Sequence, residues 1–519
     1  MRRVQQLILG GVLLSAAVYE VGYGADAVKP NIVFVLVDDM GWSDTSVPFD
    51  FDEKGQERSA PGNKIFKTPA IQQLANQGVR FTNAYAASVC SPSRTAIMSG
   101  CNPARTHITN WTNPDRPSDT SGRSIKSMKA PQWKIEGLNE TKDALAKMFK
   151  KEGYRTIFVG KAHFGPTSEA QAQPSQLGFD VSIAGSGAGH PGSYYGKDNY
   201  AEMPRRNNVA LKLGPRDIPN MDPYYGSDVF LTDALTNKVT ASMDESVKQG
   251  KPFFAYFSHY AVHSPLMMDP QFEKDYPDIQ GGMKKYATLM SGVDKSVGQI
   301  FKKLDELGVA ENTLIVFASD NGGTAPTQRP CAPLRAKKGT PYEGGLRTPL
   351  MIAWAKPDPT NKWQKKYPIK PGSHQDNIVA LMDLYATFGS MIGSKSIPKS
   401  IDSQDFSGLL TQTGKTSRPQ TYFLNFPHEH EDAYYIVYRE GDWKVIYRFH
   451  TKKWELYNLK EDLGEHNDLS TKELKKLKSM ANGLVREFDR HGSQAPIDTA
   501  TKQPATIVLP AFRSNLSQI

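Results

Sequence analysis

Cysteine is nearly absent from this chain: Cys90, Cys101 and Cys331 are the only three among 519 residues. That excludes a disulfide-framed scaffold, and no zinc-ligand pattern is present. If Cys90 is engaged in chemistry, Cys101 and Cys331 are left either as one disulfide in an oxidising compartment or as two buried thiols. Long apolar runs are missing too. Leu7 to Val18 is short for a membrane span, and nothing later is long enough to be one. Behind Met1-Arg2-Arg3 that run reads as a secretory signal, with Ala25-Asp26-Ala27 as the cleavage site and Ser15-Ala16-Ala17 as an earlier alternative. The expectation is a leader over 1–27, export to the periplasm or beyond, and no stable membrane insertion after cleavage. Dense Lys/Arg tracts, RNA-binding signatures and internal repeats are likewise lacking, which argues against a nucleic-acid partner. The net charge of +9 is modest and spread out. It suits solubility and is compatible with an anionic substrate.

What is present is an α/β pattern. Residues 31–37, 79–86, 154–159, 252–258 and 313–319 are apolar, β-branched or aromatic runs of the kind buried on both faces of a sheet. Amphipathic helical segments over 67–78, 143–151, 227–247 and 286–307 separate them. Each strand runs into a polar signature: Asp38-Asp39, Cys90, Lys161 with His163, His263, and Asp320-Asn321. Open parallel sheets gather their sites at the carboxyl ends of strands, so these signatures are expected to converge. Two adjacent carboxylates at the end of a buried strand repel unless a cation lies between them; a solvated turn is the other reading.

The chain is organised around Cys90-Ser91-Pro92-Ser93-Arg94-Thr95-Ala96-Ile97-Met98-Ser99-Gly100. Ser91 is an expected N-cap and Pro92 an expected first helical residue. Cys90 then sits at a helix N-terminus, where the dipole and the Arg94 guanidinium favour anionic groups. A reduced core cysteine before an ordinary capped helix is the alternative.

Cys-x-Pro-x-Arg followed by Thr-Ala-Ile-Met-Ser-Gly resembles the signature of type I sulfatases of the alkaline phosphatase superfamily. The resemblance implies an alkaline-phosphatase-like, mostly parallel central sheet sandwiched by helices. It also implies that a maturation enzyme converts Cys90 to formylglycine, whose hydrate is the nucleophile. Asp38, Asp39, Asp320, Asn321 and an oxygen of modified residue 90 would be the metal ligands. An all-oxygen set favours a calcium ion, Ca²⁺, with Mg²⁺ as the alternative. The block from Lys338-Gly339-Thr340-Pro341 resembles the one that carries a catalytic lysine; Lys337 precedes it, and the Gly-Thr that follows selects Lys338. By the same resemblance Arg94 holds the nucleophile, Lys161 and Lys338 neutralise the sulfuryl oxygens, His263 protonates the leaving oxygen and His163 accepts a proton from residue 90. His259 is expected to be structural.

Residues 185–225 are rich in Gly, Pro, Tyr and Asn, as in a substrate-side insertion, where His190 either contacts a sugar or caps a turn. His428 and His430 in Pro427-His428-Glu429-His430-Glu431 are read either as sugar contacts at the cleft rim or as a solvated loop. Short strands around 434–438, 443–447 and 455–458 and a helix over 471–489 resemble the smaller carboxyl-terminal sulfatase subdomain. The expected division is a catalytic domain over 28–400 and a smaller subdomain and tail over 401–519. Asn102 to Thr112 is similar to microbial glycan sulfatases, including some acting on 4-O-sulfated galactose or N-acetylgalactosamine, which makes a sulfated glycan the expected substrate. A phosphonate or phosphodiester hydrolase of the same superfamily and a non-catalytic sulfated-glycan-binding protein are the competing readings.

Overall fold

The computed structural model describes residues 29–139, 143–202, 214–411 and 414–510; the leader expected over 1–27 lies outside them. The central sheet has eight strands: β1 (Asn31–Val37), β2 (Val79–Phe81), β3 (Arg155–Gly160), β4 (Val181–Ile183), β5 (Phe253–Ser258), β6 (Thr313–Ser319), β7 (Leu350–Trp354) and β8 (Ser373–Gln375). Their order is β8-β2-β7-β6-β1-β5-β3-β4, and only β7 runs antiparallel to the rest.

Alternation along β1 divides the core in two. Val33, Val35 and Val37 pack on one face with α1 (Pro69–Gln77), α4 (Leu231–Lys248) and α5 (Gly281–Glu306). Ile32, Phe34 and Leu36 pack on the other with α2 (Cys90–Ser99), α3 (Leu145–Lys151) and α6 (Leu384–Met391). Every residue of β1 is buried, and full burial of each large apolar side chain contributes roughly 1.5–3 kcal/mol. That is why the central strands read as unbroken apolar runs.

Register then sets the site. Val37 pairs with Ser319, Leu36 with Ser258, and Gly160 with Ser258. The ends of β1, β3, β5 and β6 are therefore level, and the residues after them emerge side by side. Gly160 is required for the crossing: its φ is +104°, and a Cβ there would lie 1.7 Å from the Ser258 carbonyl oxygen.

Two expectations change. The run over 79–86 is not one strand. β2 ends at Phe81, because Thr82 and Asn83 turn their side chains to Asp376, and Ala84–Tyr85 pairs instead with Val379–Ala380. The helix at Cys90 also starts two residues early, with Val89 at the cap position and no side-chain cap. Ser91 Oγ accepts from the Thr112 N–H at 3.1 Å, and Ser93 Oγ accepts from the Ala87 N–H at 2.9 Å. These serines hold the flanking loops.

A second, antiparallel sheet is formed by β9 (Thr421–Glu429), β10 (Ala433–Glu440), β11 (Trp443–Arg448) and β12 (Lys453–Asn458). One face carries α7 (Leu474–Arg490) through Leu477, Met480 and Leu484. The other packs Tyr435, Val437 and Ile446 against Tyr85, Val89 and Leu346, beside the start of α2. Lys444 ties the two parts together, donating to Glu343 at 2.9 Å and ion-paired with Glu465 at 2.8 Å, with all three side chains buried. Among the described residues no helix is long and apolar enough to cross a membrane.

Candidate active site

One carboxylate oxygen from each of Asp38, Asp39 and Asp320 lies within 4.8 Å of the others, in full burial. Each acid has its own cation. Lys161 Nζ donates to Asp38 Oδ2 at 2.5 Å, Lys338 Nζ to Asp39 Oδ1 at 2.5 Å, and Arg94 Nε to Asp320 Oδ2 at 2.8 Å. Arg94 is fixed further by donating through Nη1 to Ser258 Oγ at 2.7 Å and to the Lys161 carbonyl at 2.8 Å.

Three acids and three bases cancel, yet the cluster is not closed. Asp38 Oδ1, which has only Arg94 Nη2 near it at 3.5 Å, and Asn321 Oδ1 are buried and accept no hydrogen bond. The amide orientation of Asn321 follows from its partners: Nδ2 donates to Asp39 Oδ1 at 2.8 Å and to the Gly322 carbonyl at 2.9 Å, both acceptors. Its oxygen is the atom left over. An unpaired buried polar group costs about 1–3 kcal/mol, so two on one carboxylate-rich wall call for a cation. Burial pushes the Asp38 carboxyl well above its ordinary range in spite of Lys161. Burial acts the same way on Asp39, but Lys338 and His263 outweigh it and hold that carboxyl low. The donor set is all oxygen, which fits a hard divalent ion of the Ca²⁺ or Mg²⁺ type.

Cys90 opens α2 above this cluster. Its Sγ lies 3.3 Å from His163 Nδ1, while His163 Nε2 lies 2.9 Å from the Thr112 carbonyl oxygen. A carbonyl only accepts, so Nε2 carries the proton and the Nδ1 lone pair faces residue 90. Burial, reinforced by Lys161, keeps His163 neutral. His163 and Asp39 both hold left-handed backbone, at φ 50° and 61°. Such geometry costs a bulky residue energy and persists where the surroundings impose it; here Gly189 packs directly on the His163 ring.

His263 Nε2 lies 3.5 Å from Asp39 Oδ2, and its ring stacks on that of His190 at 5.3 Å. A cleft of about 170 Å³ opens over these groups, lined by Cys90, Trp111, Pro114, His163, Gly189, His190, Arg216, His263, Lys338 and His430. The structure thus brings together Asp38, Asp39, Cys90, Arg94, Lys161, His163, His263, Asp320, Asn321 and Lys338, with His190 and His430 on the cleft wall.

His428 is elsewhere. It is fully buried, with Nε2 2.7 Å from Thr109 Oγ1 and Nδ1 2.7 Å from Ser121 Oγ. This histidine sits where the β9 register breaks between Phe426 and Glu429, braces the loop that carries Trp111 and does not line the cleft. His259 is buried, lies 3.2 Å from Ser296 Oγ and is structural, as expected. All three cysteines are free, so the Cys101–Cys331 bridge is not formed. Cys331 Sγ faces the Gly323 carbonyl and Cys101 Sγ that of Ser99.

Sequence reasoning did not single out Thr112, Ser258, Trp111 or Arg216. Thr112 acts through its backbone carbonyl, which no residue type announces. Ser258 was within reach, because it closes a buried strand at the same level as the other site residues.

Residues 30–394 match the sulfatase family, and residues 337–491 match the family described as N-sulphoglucosamine sulphohydrolase, C-terminal. The chain is 28% identical to a sulfatase of Formosa agariphila, with 90% of each chain covered. It is 30% identical to human N-acetylgalactosamine-6-sulfatase, covering 78% of this chain and 70% of the relative. Among solved structures, Ps i-CgsB in complex with k-i-k-neocarrahexaose is similar at a TM-score of 0.69 and 25% identity, with 89% of this chain and 93% of that one covered. The fold is the alkaline-phosphatase-like one expected from the sequence. With the sulfatase match running through β1, β3, β5 and β6, the chain belongs to the sulfatase family and is a sulfuric ester hydrolase.

Proposed function

We propose that this protein removes sulfate from a sulfated carbohydrate, with residue 90 as formylglycine and a Ca²⁺ or Mg²⁺ ion held by Asp38, Asp39, Asp320 and Asn321. The observation that carries the reading is the Cys90–His163 pair, tautomer fixed by Thr112, above a carboxylate cluster with two unsatisfied oxygens. When bound, the ion supplies Lewis-acid stabilisation of sulfuryl charge, and the hydrated aldehyde supplies two hydroxyls on one carbon, one to attack sulfur and one to release it. The chain's own residues do the rest. His163 Nδ1 accepts a proton from residue 90. Arg94 and Lys161 fix the acids, and Lys338, whose ammonium form Asp39 favours against its burial, sits where charge develops on the transferring group. His263 Nδ1 donates to the Ser264 carbonyl at 2.9 Å, which leaves Nε2 towards the cluster. To deliver a proton from Nε2 to the departing sugar oxygen the ring must carry both protons, a form that burial opposes and Asp39 at 3.5 Å favours, with Lys338 as the second acid.

An exported chain matured on Cys90 by a formylglycine-generating enzyme fits this reading. For the sugar, the 102–112 segment leans to 4-O-sulfated galactose or N-acetylgalactosamine, and the name of the human relative supports the second sugar with the ester at position 6. Sulfate release from the 4- and 6-sulfates of both sugars, set against the matching phosphate esters, tests the proposal. Faster release of phosphate than of sulfate would reject it.

His263→Ala should lower kcat/KM on a sugar sulfate about 10²- to 10⁴-fold, the range for a lost general acid. On an activated aryl sulfate, whose leaving group is a stable anion, the loss should be about ten-fold or less. Equal losses on both, with chemistry limiting, would remove His263 from that role.

A further inference from the structure

Among the described residues the cleft lining contains no carboxylate, and its two permanently charged side chains are Lys338 and Arg216. Lys338 is spoken for by Asp39. Arg216 has no place in the chemistry described above. Its backbone is nevertheless fixed: its carbonyl accepts from the Gly192 N–H at 2.8 Å. The next residue, the buried Asp217, accepts from the N–H groups of Gly214 at 2.6 Å and Glu202 at 2.9 Å. Arg216 Nη1 donates to Glu202 Oε1 at 2.9 Å, in a pair whose side chains are 46% and 31% exposed. A half-exposed ion pair of this kind contributes little stability, and a guanidinium has five N–H donors. Trp111 lines the same cleft and offers an aromatic face of the sort on which a sugar ring stacks.

From this we infer that Arg216 forms a second anion subsite, so that the preferred substrate carries, besides the ester that is cleaved, another anionic group close to it. The inference rests on the sulfatase reading of the cleft. The second anion is either another sulfate on the same sugar or the carboxylate of a neighbouring hexuronate; both are planar or trigonal oxyanions that a guanidinium binds through paired N–H donors. Glu202, on Nη1, is the anion already paired with this guanidinium and competes with a bound one for its charge. Arg216 is then a specificity-determining residue, and its charge is felt through binding and not through the chemical step.

The test uses four probes on the mature enzyme: an activated aryl sulfate, N-acetylgalactosamine 6-sulfate, N-acetylgalactosamine 4,6-disulfate, and a 6-sulfated N-acetylgalactosamine joined to a hexuronate. Arg216→Gln should reduce kcat/KM on the disulfate or the hexuronate disaccharide at least ten-fold more than on the monosulfate, mainly through KM. That factor is the lower end for a lost hydrogen bond to a charged group. The arm that suffers identifies the source of the anion. Glu202→Gln, which removes the competitor, should move the same ratio the other way, and Arg216→Lys should restore part of it. Equal losses on all saccharides in Arg216→Gln, or an unmoved ratio in Glu202→Gln, would overturn the subsite. Turnover of the aryl sulfate keeps the two readings apart: an enzyme active on it with no Arg216-dependent preference loses only the subsite, whereas one releasing sulfate from no probe loses the sulfatase reading itself.

Discussion

Cys90→Ala should lower sulfate release by about 10⁴-fold or more on every substrate, activated or not, because it removes the nucleophile and not a helper. The substitution takes one atom from a side chain that is 4% exposed, and alanine suits the first turn of α2, so the fold should be retained. The companion measurement is mass spectrometry of the peptide spanning Cys90, which should show the aldehyde in active enzyme. The physical argument is release. A thiol, or a single hydroxyl, can accept a sulfuryl group but has no second hydroxyl on the same carbon with which to expel it. His163 is placed to serve a group with protons to lose, since its Nδ1 lone pair points at residue 90 and its Nε2 proton is held by Thr112. A preparation of full activity carrying only free thiol at residue 90 would defeat the assignment, as would a Cys90→Ala enzyme that still turns over.

Much of this site could be read from the chain because burial on both faces leaves a strong mark. β1 and β6 are unbroken apolar runs, and a pair of polar ligand-type residues directly after such a run has few bland explanations, whereas the lone His259 directly after β5 is buried against Ser296. Asp38, Asp39, Asp320 and Asn321 were legible for that reason, Lys161 through the Gly-Lys-x-His arrangement at the end of β3, and register in the sheet then does the assembly. Where the mark is weaker the reading went astray. Ser91 has the chemistry of an N-cap, but the tertiary demand of Thr112 for its hydroxyl outweighs local capping. His428 and His430 look alike in sequence, yet β9 runs through the first and ends before the second, so one is turned into the interior and the other meets the cleft. Arg216 belongs to a stretch without periodicity, whose position over the cleft is set by contacts such as Gly192 to Arg216 that no local pattern encodes.

Asp39→Asn should empty the metal site and lower activity about 10³-fold or more, the scale expected when several kcal/mol of charge stabilisation is withdrawn. Asparagine is chosen because it tolerates the left-handed backbone that Asp39 occupies at φ 61°, so the change is in charge and not in the turn. The electrostatics make the size plausible. With Asp39 ionised, three carboxylates face three cations, and a divalent ion leaves a net charge of about +2 to meet a sulfate ester. With an amide there, Lys338 keeps its charge in burial without its partner, and repulsion from a bound ion rises while one of its anionic ligands is gone. Metal content by elemental analysis should fall from near stoichiometric in the wild type to a small fraction. Thermal unfolding supplies a readout independent of turnover: ligand that binds only the folded state stabilises it by about 2.7 kcal/mol at a hundred times its dissociation constant. Adding Ca²⁺ to chelator-treated wild type should therefore raise Tm, while the variant should respond weakly. Replacing Ca²⁺ by Mg²⁺ in the same titration ranks the two ions, since the larger ion accepts irregular oxygen geometry and the smaller one requires an octahedron. Wild-type metal content in Asp39→Asn, or a chelated wild type whose Tm and activity are both unmoved by either ion, would rule out Asp38, Asp39, Asp320 and Asn321 as a metal centre.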